Sequence, residues 1–495
     1  MSTRRELLVR SLQATAAGAA FNTLGSSLAL AQTLSGGRML EGAGTDYRAL
    51  VCLYLYGGND CFNMIVPRDN AYSVYAATRT NLAVPQAQLL ALNPNAPPTG
   101  GGQYGLHPSM PGLQQLFNEG RAAVVANVGP LVRPVNKTMY QQPGTLLPAQ
   151  LFSHSDQTTL WQTPRADAST RTGWGGRLAD LFAPSNINQV LSMNVSLDGD
   201  NVFQAGINVA PYFMSREGVE EISQIQTGAA NCGAGSQSWN RRRCLSFQAL
   251  LNEPSNHAFE RAYIDKTRRA IQTAAQVRAA IAQFPASDSV FRPFWDAFGL
   301  TWNPANLPAL PRLAQQLLMI ARVIRARDVL QMSRQLFFAG TGGFDTHDDQ
   351  LTAHPPLLRD LSQSLLAFYQ VLRSPSFALA NKVTSFTASE FGRTLTNNGD
   401  GTDHGWGGHH LVVGDAVQGG RIYGRMPSLA ATNNPDDAGW GQIIPTLAVD
   451  QYAATLASWY GLTAADRDLI FPNLQFMTGA IPAITGPNLG FMLPV

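Results

Sequence analysis

The sequence predicts an α/β protein, built as a three-layer sandwich with a largely parallel central sheet. Short runs of consecutive apolar residues recur along the chain, as is typical of strands that are buried on both faces. Helical patterns lie between several of these runs. Because strands that alternate with helices pair in parallel and are covered by the helices, these two observations together predict the sandwich.

The predicted elements follow one another along most of the chain. The first strand covers residues 49–56, and further strands are predicted at residues 121–128, 189–195, 335–338, 383–388 and 411–413. Helices are predicted at residues 110–118, 313–324, 356–372 and 449–460. Ligands of such sheets bind beyond the carboxyl ends of the strands, and polar clusters of this sequence fall at those ends.

Residues 198–311 interrupt this order. They contain a Gly/Ser/Asn-rich stretch at 227–240 and a long helical pattern at 258–283. We predict a mostly helical insertion that caps the sheet, within one domain that spans residues 32–495. A chain of this length exceeds the roughly 250–300 residues at which one hydrophobic core stops growing, which agrees with a domain enlarged by an insertion.

Residues 1–31 have the pattern of a signal peptide. Arg4 and Arg5 precede a weakly apolar run, and the small residues Ala29 and Ala31 form a cleavage site. The paired arginines predict the twin-arginine export machinery as a partner, and an ordinary secretory signal is the alternative. Both routes predict a periplasmic or secreted protein. The apolar run is too short and too polar to anchor the chain in a bilayer core of about 30 Å.

Composition limits the partners and the redox state. The formal net charge is +2, and the basic run at residues 241–243 indicates a solvated loop, so nucleic acid is not expected as a partner. After the signal, no run reaches the roughly 18 apolar residues of a membrane helix. In an oxidising compartment, Cys232 and Cys244 are predicted to form a disulfide. Cys52 and Cys61 are either bridged or free, with Cys52 a candidate buried thiol.

Two polar clusters lie in the first third of the chain. Residues 57–60 (Gly-Gly-Asn-Asp) follow the first predicted strand and leave Asp60 at the edge of the sheet, although an Asp that caps the turn is the alternative. Residues 152–157 open a helix that Ser155 or Asp156 could cap. His154 beside this cap is suited to catalysis or metal binding, and a structural histidine is the alternative.

A third cluster, at residues 342–349, contains Asp345 and His347. Two residues apart in an extended segment, their side chains point to the same side and offer a carboxylate and an imidazole to one ion. The cluster directly follows a predicted strand. We therefore predict a metal site here.

The last two clusters lie close together in the sequence. Residues 389–394 close a predicted strand and include Glu390 and Arg393, and residues 402–410 follow them. Glycines in the second of these clusters allow a ligand to approach the backbone closely. Its candidate ligands are Asp403, His404, His409 and His410.

Five segments together resemble the bacterial family catalogued as domain of unknown function 1501. They are Leu-Tyr-Gly-Gly-Asn-Asp at 55–60, Phe-Ser-His-Ser-Asp at 152–156, Gly-Phe-Asp-Thr-His at 343–347, Glu-Phe-Gly-Arg-Thr at 390–394 and Thr-Asp-His-Gly at 402–405. The resemblance extends to residues 472–474 and is weakest in the insertion. Because that family is grouped with the alkaline phosphatase and sulfatase superfamily, it implies an alkaline phosphatase-like fold and a site with one or two divalent metal ions.

The resemblance also implies roles for matching residues. Asp345 and His347 resemble the carboxylate and imidazole of the first metal, and His404 resembles its later histidine. Asp60 resembles the carboxylate of the first strand. Glu390 stands where phosphatases have a metal-binding Asp-His pair, which leaves the second metal open.

The sequence departs from the phosphatases at the nucleophile, because His154 takes the place of their serine. We therefore expect His154 to act as the nucleophile or as the general acid. Arg393 is expected to neutralise developing charge. Asp156, Asp403, His409 and His410 are candidates for a further site.

These features predict an exported metal-dependent hydrolase. Its expected substrate is a phosphate or sulfate ester, or a related anionic group, on a small molecule or a polymer. The predicted ligands are oxygen and nitrogen atoms, which admit Zn, Mn, Mg or Ca. The alternative is a non-catalytic exported binding or structural protein in which a retained metal site stabilises the fold, and fold alone does not decide between the two.

Overall fold

A computed structural model describes residues 46–167, 170–219, 239–477 and 486–494. Within these ranges the protein is a mixed α/β structure with a largely parallel central sheet, as the sequence predicts. The signal peptide predicted at residues 1–31 lies outside them. None of the described helices is both long and apolar enough to cross a membrane.

The strands follow the apolar runs of the sequence. In chain order they are β1 (Arg48–Leu55), β2 (Ile65–Pro67), β3 (Leu90–Ala91), β4 (Tyr104–Leu106), β5 (Ala122–Gly129), β6 (Asn194–Ser196), β7 (Tyr212–Phe213), β8 (Arg334–Thr341), β9 (Val383–Ala388), β10 (Gly408–Val413), β11 (Arg421–Tyr423) and β12 (Leu447–Ala448). Each predicted strand overlaps one of them. The other strands have only two or three residues, which is too short for a periodic signal.

The central sheet has the order β11-β5-β10-β9-β1-β8-β6-β7, and β12 also pairs with β5. Strands β9, β1, β8, β6 and β7 are parallel to one another, whereas β10 is antiparallel to both of its neighbours. In register, Tyr54 pairs with Ala388 and Leu55 pairs with Thr341. The carboxyl ends of β9, β1 and β8 therefore meet at one edge.

Helices connect the strands and pack on the sheet. In chain order they are α1 (Cys61–Met64), α2 (Ala71–Arg79), α3 (Pro111–Asn118), α4 (Lys137–Tyr140), α5 (His154–Gln162), α6 (Trp174–Phe182), α7 (Trp239–Asn252), α8 (Ala258–Ala282), α9 (Pro293–Asp296), α10 (Arg312–Arg325), α11 (Gln350–Arg373), α12 (Val449–Tyr460) and α13 (Ala464–Ile470). Helix α12 coincides with its prediction. Helix α11 begins before its predicted start and includes Pro355 and Pro356.

The middle strands form the centre of the hydrophobic core. Every residue of β9 is buried, and so is every residue of β1 after Arg48. Helix α10 packs on β8, and helix α12 packs on β1 and β5. Since a well-packed core leaves few alternative positions for its strands, this packing holds the strand ends at the edge in fixed places.

The segment predicted as an insertion, residues 198–311, is described over 198–219 and 239–311. It contains α7, α8 and α9, and it also contributes β7, the last strand of the sheet. Helix α8 packs against α10 through its second half, where Val277 and Ile281 are buried. Arg322 Nε on α10 donates a hydrogen bond to the Phe284 carbonyl at 2.8 Å and ties the end of α8 to that helix.

The cysteines divide as follows. Cys52 in β1 and Cys61 in α1 are buried free thiols. Cys244 is buried in α7. Its predicted partner Cys232 lies outside the described residues, so that pairing stays a prediction.

Candidate metal centre

Several chain segments meet at the carboxyl edge of the sheet. The segment after β8 carries Asp345 and His347, and the segment after β9 carries Glu390 and Arg393. His404 lies four residues before the start of β10, which begins at this edge because it is antiparallel to β9. Helix α5 brings its first residue to the same place. The sheet edge thus collects residues that are far apart in sequence.

Asp345, His347 and His404 converge on one point. Asp345 Oδ1 lies 3.0 Å from His347 Nε2 and 3.3 Å from His404 Nε2. The two nitrogen atoms are 3.0 Å apart. The predicted convergence of these three side chains is confirmed.

His154 faces the same point from the start of α5, as predicted. Its Nε2 atom is 3.4 Å from Asp345 Oδ2, and its ring centroid is 4.3 Å from that of His404. Ligand atoms of His154, Asp345 and His404 all lie within 4.8 Å of one another, so these three residues could hold a metal ion. His154 is therefore a candidate ligand.

The separations suit ligands of a shared ion. Metal bonds to imidazole and carboxylate are about 2.0–2.2 Å long, so two ligands at a right angle or a tetrahedral angle are about 3.0–3.4 Å apart. The contacts of Asp345 with His154, His347 and His404 span 3.0–3.4 Å. Hydrogen bonds have similar lengths, so the positions of the hydrogens decide between the two readings.

In each of the three histidines, the Nδ1 atom, which points away from the centre, contacts an oxygen atom at hydrogen-bond distance. The pairs are His404 Nδ1 with the Phe152 carbonyl at 2.7 Å, His347 Nδ1 with Asp403 Oδ1 at 3.1 Å, and His154 Nδ1 with Glu390 Oε1 at 2.9 Å. Carbonyl and ionised carboxylate oxygens only accept, so each of these rings in its neutral form would carry its hydrogen on Nδ1 and turn the Nε2 lone pair toward the centre. Outer partners of this kind orient the histidine ligands of metal ions.

In the neutral form of both rings, the Nε2 lone pairs of His347 and His404 would therefore point toward each other. The Nε2 atoms of His347 and His404 repel each other at 3.0 Å unless a proton or a cation lies between them. The carboxylate of Asp345 adds negative charge to the same point. His154, Asp345 and His404 are a possible donor set for a cation, and the His347 imidazole lies next to them.

Arg393 binds the carboxylate of Asp345 from inside the protein. Its side chain is completely buried, and it donates to Asp345 Oδ1, to the Gly57 carbonyl at 3.0 Å and to Thr402. Burial raises the pKa of Asp345, but the hydrogen bond and charge of Arg393 outweigh this and leave the pKa below its ordinary value. Asp345 is thus kept ionised and fixed in orientation.

The pKa values of His154 and His404 are shifted in opposite directions. The hydrogen bond to Glu390 raises the pKa of His154 above its ordinary value. Burial lowers the pKa of His404, with the neighbouring His154 and Arg393 adding to that decrease. A neutral His404 is the form that offers a lone pair to a metal.

Gly57 follows β1 and contacts the segments that follow β8 and β9. Its N–H donates to Glu390 Oε1 at 2.8 Å, and its carbonyl accepts from Arg393. Its φ is +117°, and a Cβ there would lie 2.2 Å from the backbone nitrogen of Asp345. Only glycine fits this close approach.

An aromatic ring forms one wall of the centre. The ring centroid of Phe391 is 4.6 Å from that of His404 and 5.0 Å from that of His154. The opposite side is open, because the side chains of His154 and Asp345 are 40% and 43% exposed. The centre is therefore accessible from solvent.

A sequence match agrees with this geometry. The family model described as "Protein of unknown function (DUF1501)" matches residues 47–448. The chain belongs to this family. All residues of the centre lie within the matched range. No curated protein matches the chain.

In this DUF1501 protein, Asp60 is not placed with the ligands. Its Oδ1 accepts from the backbone N–H groups of Phe62 and Asn63 at 3.0 and 3.3 Å, and so caps α1. Its Oδ2 accepts from the buried Arg79 and from Gln350. Because both oxygens are engaged inside the protein, the assignment of Asp60 as a metal ligand is corrected to a helix cap.

Other predicted site residues support the ligands and do not join them. Glu390 holds His154, and Asp403 holds His347, so both are outer partners. Arg393 was expected to neutralise charge on a reacting group, but its burial under Asp345 gives it a positioning role. Asp156 accepts from two neighbouring serine hydroxyls and contacts none of the ligands.

The paired histidines after His404 lie inside the fold. His409 and His410 belong to β10, which begins at Gly408 and not at the predicted residue 411. His409 Nδ1 accepts from the backbone N–H of Asn127 at 3.0 Å. Both side chains are buried in the core, so neither is a candidate ligand of this centre.

Three contributors to the centre were not predicted from the sequence. The Phe152 carbonyl gives no signal, because every residue has one. Phe391 gives a weak signal, since an aromatic residue stands between Glu390 and Arg393 just after a buried strand. Gly57 was predicted only to turn the chain, and its two hydrogen bonds depend on strands that are distant in sequence.

Proposed function

We propose that this DUF1501 protein is an exported metal-dependent hydrolase of a phosphate or sulfate ester or a related anionic group. The observation that carries the proposal is the convergence of three imidazoles and one carboxylate at an open edge of the sheet. Structural metal sites are closed by protein ligands, whereas catalytic sites keep a position for water or substrate. The exposure of His154 and Asp345 supports an open site.

We propose a single divalent ion held by His154, Asp345, His347 and His404. Imidazole nitrogens suit Zn²⁺ and related transition-metal ions, whereas Mg²⁺ and Ca²⁺ prefer oxygen ligands. This donor set therefore favours Zn²⁺ among the candidates. Glu390, which stands at the place of a second-metal pair, and Asp60, the carboxylate of the first strand, are both engaged within the protein, which supports one ion over two.

A divalent ion at this centre would polarise the ester and activate a water molecule for attack. His154 is not the nucleophile in this proposal, because its Nδ1 hydrogen is directed to Glu390 and its Nε2 faces the centre. Attack by water needs no serine, in agreement with the histidine at that position. Arg393 fixes the orientation of Asp345.

We also propose that the fold belongs to the alkaline phosphatase and sulfatase superfamily. Two observations support this placement. The central sheet is largely parallel, and the centre lies beyond the carboxyl ends of β9, β1 and β8. The order of Asp345, His347 and His404 along the chain is the order that the resemblance implies.

A non-catalytic metal site is the second candidate. The observation that favours it is that Glu390, Asp403 and Arg393 each already hold a ligand. A general acid for the leaving group would therefore have to come from water or from the substrate. In this role the ion would only tie α5 to the sheet edge.

Metal analysis followed by an ester panel tests the proposal. The full chain, matured in a bacterium, should contain a single Zn²⁺ or related ion and should hydrolyse an aryl phosphate, an aryl phosphodiester or an aryl sulfate. Chelation should abolish turnover, and added metal should restore it. His404→Ala should lose both metal and turnover, while Asp156→Asn, which removes a carboxylate that contacts only neighbouring serines, should keep both.

Two results would contradict the proposal in different ways. Stoichiometric metal without turnover on any ester would favour the non-catalytic site. Protein that binds no divalent ion at neutral pH would overturn both candidates.

Export is tested separately. Replacing Arg4 and Arg5 with lysine keeps the charge but should leave uncleaved protein in the cytoplasm, because the arginine pair is read as an address. Cell fractionation with an antibody against the chain measures the outcome. Normal export of the variant would indicate the ordinary secretory route.

A further inference from the structure

Trp440 has the most exposed large hydrophobic side chain among the described residues, at 89%. Tryptophan is highly buried on average, so an indole in solvent calls for an explanation.

The backbone at Trp440 is also unusual. Its φ is +59°, a left-handed conformation that bulky residues rarely adopt, and it lies between Gly439 and Gly441, which also have positive φ. A glycine at this position would form the same turn without strain. Strained residues of this kind cluster at sites that bind ligands.

The turn that carries Trp440 is held rigidly. Asp437 and Ile443 form an antiparallel bridge, and Asp437 Oδ1 accepts from the Gly439 N–H at 2.9 Å. Within the turn, the Ala438 N–H donates to the Gln442 carbonyl at 2.9 Å. A ring on a rigid turn loses little freedom when it binds a ligand.

The same turn is fastened to the segments around the metal centre. The Gln442 amide donates to the His404 carbonyl at 3.3 Å, and the Thr396 hydroxyl donates to the Trp440 carbonyl at 2.9 Å. The Leu395 N–H donates to the Gly441 carbonyl at 2.8 Å. These bonds place the turn beside the chain that runs from Arg393 to His404.

We propose that Trp440 is a stacking platform for a ring in the organic group of the ester, whose anionic end occupies the metal centre. The inference rests on the proposed function and narrows its substrate class to ring-bearing esters. An indole face binds flat aromatic rings and the apolar faces of saturated rings such as sugars. It offers little to a short open-chain alcohol.

Binding of three phosphonates to the metal-loaded full chain tests this inference. Phenylphosphonate carries an aromatic ring, cyclohexylphosphonate carries a saturated ring, and methylphosphonate carries neither; none has an ester bond that the protein could hydrolyse. Titration calorimetry should show that Trp440→Ala weakens one or both ring-bearing compounds by about three- to tenfold. It should leave methylphosphonate affinity unchanged.

Two further variants serve as controls. Trp440→Phe keeps a ring and should retain most of the difference between the compounds. Phe259→Ala removes another highly exposed aromatic ring, on α8, and should change none of the affinities. Thermal unfolding of each variant checks that the fold is intact.

The outcomes separate this inference from the proposed function. If Trp440→Ala loses affinity only for phenylphosphonate, the substrate ring is assigned as aromatic. If it loses as much affinity for cyclohexylphosphonate, the ring is assigned as saturated. Unchanged affinity for both ring compounds in Trp440→Ala, or an equal loss for methylphosphonate, overturns the platform while leaving the anion site standing. If the native chain binds none of the three, the proposed anion site fails and the platform fails with it.

Discussion

Seven of the eight histidines of this protein fall into two groups. At the edge of the sheet, three of them turn their Nε2 atoms to a shared point that is open to solvent: His154, His347 and His404. Four others are buried inside the fold: His107, His354, His409 and His410. The first group has room for a shared ligand, and the second has been packed as part of the core.

His404 and His410 show the difference most directly. His404 lies in a loop, with the Phe152 carbonyl 2.7 Å from its Nδ1 atom and His347 Nε2 3.0 Å from its Nε2 atom. His410 lies in β10, with its ring centroid 4.5 Å from that of Trp161 and 5.8 Å from that of Tyr452. Six positions along the chain are enough to change a candidate ligand into a core residue. The candidate ligand has an oxygen acceptor at Nδ1 and other candidate ligands at Nε2, whereas the core histidine packs against aromatic rings.

Removing an edge histidine should have the largest effect on metal binding. His404→Ala deletes one of four proposed ligands, so metal affinity should fall by more than the roughly 10–100-fold that is typical of a lost outer partner. The metal-free variant should unfold at nearly the same temperature as the native chain. Metal titration and thermal unfolding measure the two effects. Full metal affinity in His404→Ala would contradict the assignment of the edge histidines, in contrast to the buried ones, as metal ligands.

Lowering the pH should reduce the free energy of unfolding through the buried histidines. Burial lowers the pKa of His410 from 6.5 to about 3, so as pH falls the unfolded chain binds a proton that the folded chain refuses. The stability that comes from the neutral ring is complete above pH 6.5 and is lost progressively toward pH 3. His107, His354 and His409, each with a pKa lowered to about 4 by burial, add to the same loss.

His410→Phe sharpens that test, because it keeps a flat ring beside Trp161 and removes the titration. The free energy of unfolding of the metal-free variant should match the native chain near pH 7.5 and exceed it by about 2–3 kcal/mol at pH 4.5, at about 1.4 kcal/mol per pKa unit. Denaturant unfolding across this range measures the difference. His257→Phe, at an exposed position, is the control. Parallel pH profiles for His410→Phe and the native chain would contradict the assignment.

The outer partners should show the smallest effect. Glu390→Gln weakens the orientation of His154 without removing a ligand, so metal affinity should fall about tenfold. Asp156→Asn should leave it unchanged. A loss as large as that in His404→Ala would make Glu390 itself a ligand, and no loss at all would contradict its orienting role.

Long regular elements could be predicted from the sequence. Strand β9 and helix α12 coincide with their predictions, because a continuous apolar run and a sustained helical period are strong signals. The start of β10 could not be predicted in the same way. His409 and His410 interrupt the apolar run, although the fold buries both.

Part of the centre could also be predicted. The alternation of Asp345 and His347 after a strand, and the position of His404 before β10, follow from rules about strands and sheet edges. The role of Asp60 does not follow from these rules, because an Asp side chain suits both a helix cap and a metal ligand. Its partner Arg79 lies on α2, and only the completed fold shows that the two pair.

The spacing of the ligands along the chain determines when the centre can exist. Only Asp345 and His347 are neighbours in sequence, and His154 and His404 reach them after β1, β8 and β9 have paired and α5 has docked. An ion at this centre would therefore be bound only after these parts of the fold have come together. A chain that crossed the membrane unfolded would have to take its metal from whatever the outside offers. A chain that travels folded, as the twin-arginine signal proposed for residues 1–31 would allow, can leave the cell with an ion chosen in the cytoplasm.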